Sequence, residues 1–291
     1  DVDAFKAARS RAQRSGLGVL ARWLHATGLD AYQRHLGERL GRAAFAKDKL
    51  WLRHLVEEKK RIDPHFADVF DEAFGEISYW DDKYKQRAAA NDEFDWFISF
   101  QDAQGVLEPL IRRDAKILVP GCGDAPFSRD LCAAGYEHLC NVDASDVVIE
   151  RMRAASASAS LPATVEWKVM DCRRLDLEAD AFDAVVDKAL LDCVRCRTDG
   201  RLAAADVLRE FHRVLKPGGT LIVFSAHTRA SLEQIFDEVD LSWYFGHVGF
   251  ESADAGKPFL LSVVICEKHA PGAGEDGQAR FAARLERAFS G

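Results

Sequence analysis

Lys116-Ile117-Leu118-Val119-Pro120-Gly121-Cys122-Gly123-Asp124-Ala125 is the stretch whose reading decides the fold. A short apolar run of strand length breaks at a proline and two glycines, so it reads as a buried strand, a glycine turn and the start of a helix. Glycines at such a break let a ligand approach the backbone closely, at the amino end of the helix that follows. Ala125 stands where a dinucleotide fingerprint places its third glycine. Twenty-two residues after Gly121, a second apolar stretch ends in Asn141-Val142-Asp143. An acid at that distance, at the end of the next strand, suits the two hydroxyls of a ribose.

The strands that follow also end in acids. Val165–Met170 leads into Asp171-Cys172, and Phe182–Val186 leads into Asp187-Lys188. Leu215-Lys216-Pro217-Gly218-Gly219 then opens the strand Thr220–Phe224. Ser231–Val239 reads as a helix, and Leu241–Phe250 and Phe259–Cys266 read as two last strands. Their connection is too short for a crossover, so they must pair antiparallel. The expected fold is α/β: a doubly wound, mostly parallel seven-stranded sheet with an antiparallel terminal hairpin, plus a helical N-terminal extension. An NAD-binding domain would instead continue through crossovers.

The ordered set of glycine turn, ribose acid, "MDC" step, "FDAVVDK" strand and "LKPGG" turn resembles the class I, seven-strand methyltransferases that use S-adenosylmethionine. The resemblance covers roughly Ile77 to Lys268, and five motifs in order are far more specific than any one of them. Further upstream, "YWDDKY" (Tyr79–Tyr84) and "FDWF" (Phe94–Phe97) resemble a narrower group, the methyltransferase-like proteins that modify lysines of translation elongation factor 1A. Val119, in place of an acid two residues before the first glycine, fits that group. Asp187-Lys188-Ala189-Leu190-Leu191-Asp192 is similar to its "DKGTLD" stretch, with Ala189 where the group has glycine.

The resemblance implies S-adenosyl-L-methionine as cofactor and a set of site residues. Gly121 and Gly123 would face its methionine portion. Asp143 and Ala144 would meet the ribose. Asp171 would meet the adenine amino group and the backbone of Cys172 a ring nitrogen. Asp187 would bind the donor's ammonium or orient the target amine, and Trp96 would wall the pocket. Tyr79, Trp80 and Tyr84 are the further candidates there, since aromatic faces attract cations by about 0.5–2 kcal/mol. A loop acid such as Asp187 and a cation such as Lys188 also have ordinary surface readings, and an Asp at a strand-to-helix junction commonly caps the helix. His227 is a weaker candidate for acceptor contact. No metal is expected: Cys193-x-x-Cys196 lacks a second pair or histidines at ligand spacing.

Composition is that of an ordinary globular chain, with 291 residues, 48% hydrophobic and 30% charged. No apolar run approaches the ~20 residues that span a bilayer. Seven scattered cysteines, an odd number, suit reduced thiols and a cytoplasmic location. The Arg-rich, acid-poor first twenty residues look instead like an organelle transit peptide, so mitochondrion or plastid is the alternative. Residues 1–62 hold 14 Lys/Arg against 7 Asp/Glu, whereas the whole chain has a formal net charge of -8, so the remainder carries about -15. An acidic domain of this kind is a poor phosphate binder, and nucleic acid is not an expected partner. It suits a basic protein surface.

Three regions are expected. Residues 1–62 form a basic helical extension, available either for packing or for docking a partner. Residues 63–270, after the Asp63-Pro64 break, form the methyltransferase domain. Residues 271–291 form a glycine-rich flexible tail with a short amphipathic helix over Ala279–Phe289. The leading functional reading is methyl transfer to a protein lysine, with elongation factor 1A as the candidate substrate. A small-molecule methyltransferase and a non-catalytic methyltransferase-like subunit of a larger assembly are the competing readings, since acceptor loops carry no general code.

Overall fold

The structure is a computed structural model that describes residues 72–90, 95–227, 229–239, 241–252, 259–270 and 276–289. The expected helices of residues 1–62 and the break at Asp63-Pro64 lie outside the described residues. A short 3-10 turn, Glu72–Gly75, precedes α1 (Ile77–Ala90) and α2 (Phe100–Leu107). The alternating part follows: β1 (Lys116–Pro120), α3 (Phe127–Ala133), β2 (His138–Asp143), α4 (Asp146–Ser158), β3 (Val165–Val169) and β4 (Phe182–Lys188). Then come α5 (Leu190–Arg195), α6 (Gly200–Val214), β5 (Leu215–Ser225), α7 (Arg229–Asp237), β6 (Trp243–Ser252), β7 (Phe259–Lys268) and α8 (Gly277–Phe289).

The seven strands form one sheet in the order β3-β2-β1-β4-β5-β7-β6. The first five run parallel, and β7 pairs antiparallel with both β5 and β6. This is the expected doubly wound sheet with its antiparallel end. The strands read as continuous apolar runs because both faces are covered. Side chains of period two divide between two cores. Ile117, Val119, Leu139, Val186, Phe224 and Ile265 join the core under α1–α4 and α8. Leu118, Val142, Val185, Val223 and Cys266 join the core under α6 and α7.

The strand order reverses between β1 and β4, because β1 leads outward to β2 whereas β4 leads outward to β5. Open α/β sheets bind ligands at that switch, beyond the carboxyl ends of the strands. Two local differences from the sequence reading have clear causes. The "LKPGG" turn is drawn into β5: Leu215 pairs with Phe182, then a register shift carries the chain to Thr220 opposite Ala184. Gly218 supplies a φ of +77° within that bulge, and Asp183 fastens it by accepting from Lys216 Nζ at 2.7 Å. The closing helix starts two residues earlier than expected and is docked on the sheet. Phe281 and Leu285 are buried, and Phe281 stacks on Tyr244 at 6.1 Å between centroids. β6 carries Gly246 beneath the helix, where a Cβ would lie 2.3 Å from Leu285 Cδ1.

Phe281→Ala is therefore expected to lower the unfolding free energy by about 3–5 kcal/mol, the range for emptying a buried phenylalanine site. Chemical denaturation measures it. A change below about 0.5 kcal/mol would mean that α8 is not packed.

Candidate active site

β1 ends at Pro120, and the chain turns through Gly121 (φ +58°) and Gly123 (φ +56°), a backbone region that L side chains rarely adopt. Both positions also lack room. A Cβ at Gly121 would lie 2.9 Å from Leu190 Cδ1, and one at Gly123 would lie 3.2 Å from the Tyr84 hydroxyl. The Cys122 N–H donates to the Val142 carbonyl at 3.0 Å, which holds the turn against the end of β2.

Asp143 closes that end of the site. Its Oδ2 accepts the Gly123 N–H and its Oδ1 the Ser145 N–H, each at 3.0 Å. The Ser145 hydroxyl caps α4 by accepting from the Val148 N–H at 3.3 Å and donates to Asp81 of α1. Burial drives the Asp143 carboxyl up, and the N–H groups of Ser145, Gly123 and Ala144 oppose it, which leaves a value of about 6. Each oxygen retains a lone pair for a further donor.

A cleft runs from this turn to the aromatic segments upstream. It encloses about 1140 Å³ of empty space, open solvent at its mouth included, enough for a sizeable small molecule. Gly121, Cys122, Gly123, Asp143, Ala144, Asp171 and Cys172 line it, together with Phe74, Trp80, Tyr84, Trp96 and Lys188. Trp80 donates its indole N–H to the Phe74 carbonyl at 2.8 Å. Trp80 and Trp96 meet edge to face at 5.8 Å, and Phe74 meets Trp96 at 6.1 Å. The Asp171 carboxylate is gripped by Arg173, through Nε at 3.0 Å and Nη2 at 2.6 Å. Burial raises the Asp171 carboxyl, but the Arg173 side chain and backbone N–H outweigh it, so Asp171 stays below the usual carboxylate range.

Three candidates fall elsewhere. Asp187 is wholly buried and does not line the cleft. Its oxygens accept the N–H groups of Leu190 (2.8 Å) and Leu191 (3.2 Å), so its work is to hold the start of α5. Burial and the neighbouring Asp192 push its carboxyl up to about 8. The capping role that competes for any Asp at a strand-to-helix junction applies here. Tyr79 does not line the cleft either. It packs edge-on against Phe74 and Trp80 at 4.9 and 5.3 Å. His227 lies outside the lining, and burial depresses its imidazole to about 3, so it is neutral. Cys193 lines the cleft, Cys196 does not, and both are free thiols. Burial holds the Cys193 thiol well above its ordinary value, which leaves it a poor nucleophile. Among the described residues no group of three or more His, Cys, Asp or Glu is placed to hold a metal ion.

Sequence reasoning missed the clamp around the turn. Asp124, buried beside Gly123, bridges Arg87 of α1 (2.8 Å) and Arg151 of α4 (3.0 Å). It missed Phe74 and the pairing of Lys188 with Asp95 as well. Spacing carries no signal for partners so far apart in the chain.

Residues 118–223 match the family described as methyltransferase domain. EEF1A lysine methyltransferase 4 of Bos taurus is 30% identical over 185 residues, a span of 61% of this chain and 71% of that protein. This chain belongs to the same class I methyltransferase family. Another methyltransferase of Bos taurus, the eEF1A lysine and N-terminal methyltransferase, is 32% identical over 154 residues, 52% of this chain but only 22% of that one. The fold recurs in the solved complex between the Haloferax volcanii Trm112 methyltransferase activator and its methyltransferase. There the TM-score is 0.51 at 14% identity, covering 67% of this chain and 96% of that one.

The donor of this methyltransferase family is S-adenosylmethionine, and the residues present fit it. The turn is one that a Cβ would fill, Asp143 is an ionisable acceptor with free lone pairs beside it, and the walls are apolar and aromatic. None of the described helices is long and apolar enough to cross a membrane.

Because burial raises the folded-state value, ionising Asp143 disfavours the fold. Its share of stability is complete below the ordinary carboxylate value near 4 and is lost as pH rises through about 6. Donor binding runs the opposite way, since an ionised carboxylate accepts both ribose hydroxyls. Affinity is expected to be about tenfold weaker at pH 5 than at pH 7, one decade per pH unit below the folded-state value. Asp143→Ala should weaken binding by about 1.5–3 kcal/mol and abolish that pH dependence. Calorimetry at the two pH values tests both, and a mutant that binds like the parent removes Asp143 from the ribose.

Proposed function

We propose that this chain transfers a methyl group from S-adenosylmethionine to a lysine side chain of a protein, with elongation factor 1A as the first acceptor to test. The observation that carries the reading is the juxtaposition in one cleft of the glycine turn with its Asp143 carboxylate and the wall of Phe74, Trp80 and Trp96. Two relatives named for lysine methylation of elongation factor 1A, at 30% and 32% identity, support the choice of acceptor.

The donor supplies a methyl group already activated by a sulfonium charge. The protein's tasks are therefore alignment, exclusion of water and delivery of a neutral amine. In this reading Gly121 and Gly123 admit the donor to backbone distance, and Asp143 accepts the ribose hydroxyls with Ala144 beside it. Asp171, with Arg173 on it, and Cys172 border the adenine end. Trp80, Tyr84 and Trp96 border the cationic centre and the incoming amine, where a ring face turned to a cation is worth about 0.5–2 kcal/mol. The chemistry asks for no strong base. The acidic balance of the chain beyond residue 62 suits a lysine-bearing, basic surface.

Incubation of the chain with radiolabelled donor and purified elongation factor 1A is expected to label the protein, with the label on lysine after hydrolysis. The same assay on a cell extract should mark one or a few protein bands. Label confined to small metabolites would replace the protein acceptor with a small one, and donor binding without any transfer would favour a non-catalytic role.

A further inference from the structure

Lys188 lines the cleft, yet its ammonium is engaged from within the protein. Nζ donates to Asp95 Oδ1 and, at 3.1 Å, to the Trp96 carbonyl oxygen. It also lies 5.2 Å from the ring centroid of Phe127. Two oxygens and a ring face leave the side chain only 8% exposed. Burial lowers the Lys188 ammonium and raises the Asp95 carboxyl, so each depends on the other to stay charged. The second Asp95 oxygen is buried with no hydrogen-bond partner among the described residues.

What Lys188 grips is a tight, strained turn. The Ile98 N–H donates back to the Trp96 carbonyl at 2.6 Å, and Phe97 between them has a φ of +61°. A three-residue turn with a bulky residue in that region persists only when its surroundings hold it. Downstream, Ile98 is buried and the Ser99 hydroxyl caps α2 by accepting the Asp102 N–H at 3.3 Å. At the upstream end stands the Asp95–Lys188 pair. The Trp96 carbonyl thus takes two donors, one from its own turn and one from the end of β4. Its indole meanwhile stands in the cleft against Trp80 and Phe74.

We infer that Lys188 is a positioning residue for methyl transfer: through Asp95 and the Trp96 carbonyl it fixes the Trp96 ring as a wall of the cleft. The inference rests on reading the cleft as the donor site. A wall residue on a loop keeps its geometry only if its support is rigid, and this support is anchored in a strand of the central sheet. Lys188 therefore acts through Trp96 and does not touch the donor or the acceptor.

Lys188→Met alone would strand the Asp95 carboxylate, so the double variant Lys188→Met/Asp95→Asn is the informative one. In protein labelled with 5-fluorotryptophan, the Trp96 fluorine signal is identified by its loss in Trp96→Phe. In the double variant that signal is expected to shift or broaden while the Trp243 signal stays put. Donor affinity by calorimetry is expected to fall about tenfold. The triple variant, with Trp96→Ala added to the double variant, should lose no more affinity in total than Trp96→Ala alone, the mark of residues acting as a unit. Lys188→Arg should restore most of the affinity. An unmoved Trp96 signal, or a loss that adds in full to that of Trp96→Ala, would overturn the inference. If the parent chain does not bind the donor, the donor-site reading fails, and the fluorine spectra still decide whether Lys188 positions Trp96.

Discussion

Two backbone N–H groups on one carboxylate join the parts of this site. Asp143 takes one from the glycine turn that ends β1 and one from the residue that starts α4. The turn depends on that carboxylate for its shape, because Gly121 and Gly123 have no side chains to hold it. The carboxylate depends on backbone N–H groups in return, those of Ser145 and Gly123 first and that of Ala144 beside them, because burial otherwise favours its neutral form. A buried acid with two fixed donors and spare lone pairs is preorganised for a third and fourth. Asp124, one residue past Gly123, ties the same turn to α1 and α4 through Arg87 and Arg151. The positively charged arms and the N–H groups together hold two acids close to each other without exposing either.

The fold was legible because its signals are local and periodic. Apolar runs of strand length, glycine and proline at their ends, and a short link between the last two runs fixed the strands and the antiparallel end. The site was legible only where the chemistry is in the backbone or one residue from it. Gly121, Gly123, Asp143 and Asp171 line the cleft. Asp187 stands at the end of β4 as expected but does not line it, because a strand-end acid has two rival uses and sequence alone gives them the same position. Its fate was decided by the tightness of the β4-to-α5 junction, where Ala189 adopts a φ of +75° and swings the Leu190 and Leu191 N–H groups onto the carboxylate. Tyr79 and Trp80 are adjacent on a helix and so point about 100° apart. Only one of them reaches the cleft, and spacing alone did not say which.

Side-chain pairs between distant segments had no signal at all. Asp95 and Lys188 are 93 positions apart, Arg87 and Asp124 are 37 apart, and each pair is recognisable only once the sheet has brought its members together. Such pairs settle the angle of the upstream helices over the turn, whereas the motifs settle the turn itself.

The strand order has a consequence for synthesis. β7 lies between β5 and β6, so the edge of β5 has no hydrogen-bonding partner until residues 259–268 have been made. β5 is a run of Leu, Ile, Val and Phe, buried on both faces in the finished sheet. About 40 residues separate its end from the end of β7, which at ribosomal speeds of about 5–20 residues per second is a wait of several seconds. During that interval the nascent chain presents an apolar, unpaired strand edge, the kind of surface that recruits another chain. The last strand to leave the ribosome is thus the one that closes the gap between β5 and the edge strand β6, and any stall or truncation between the two strands would leave a product prone to aggregation rather than a slightly shorter enzyme.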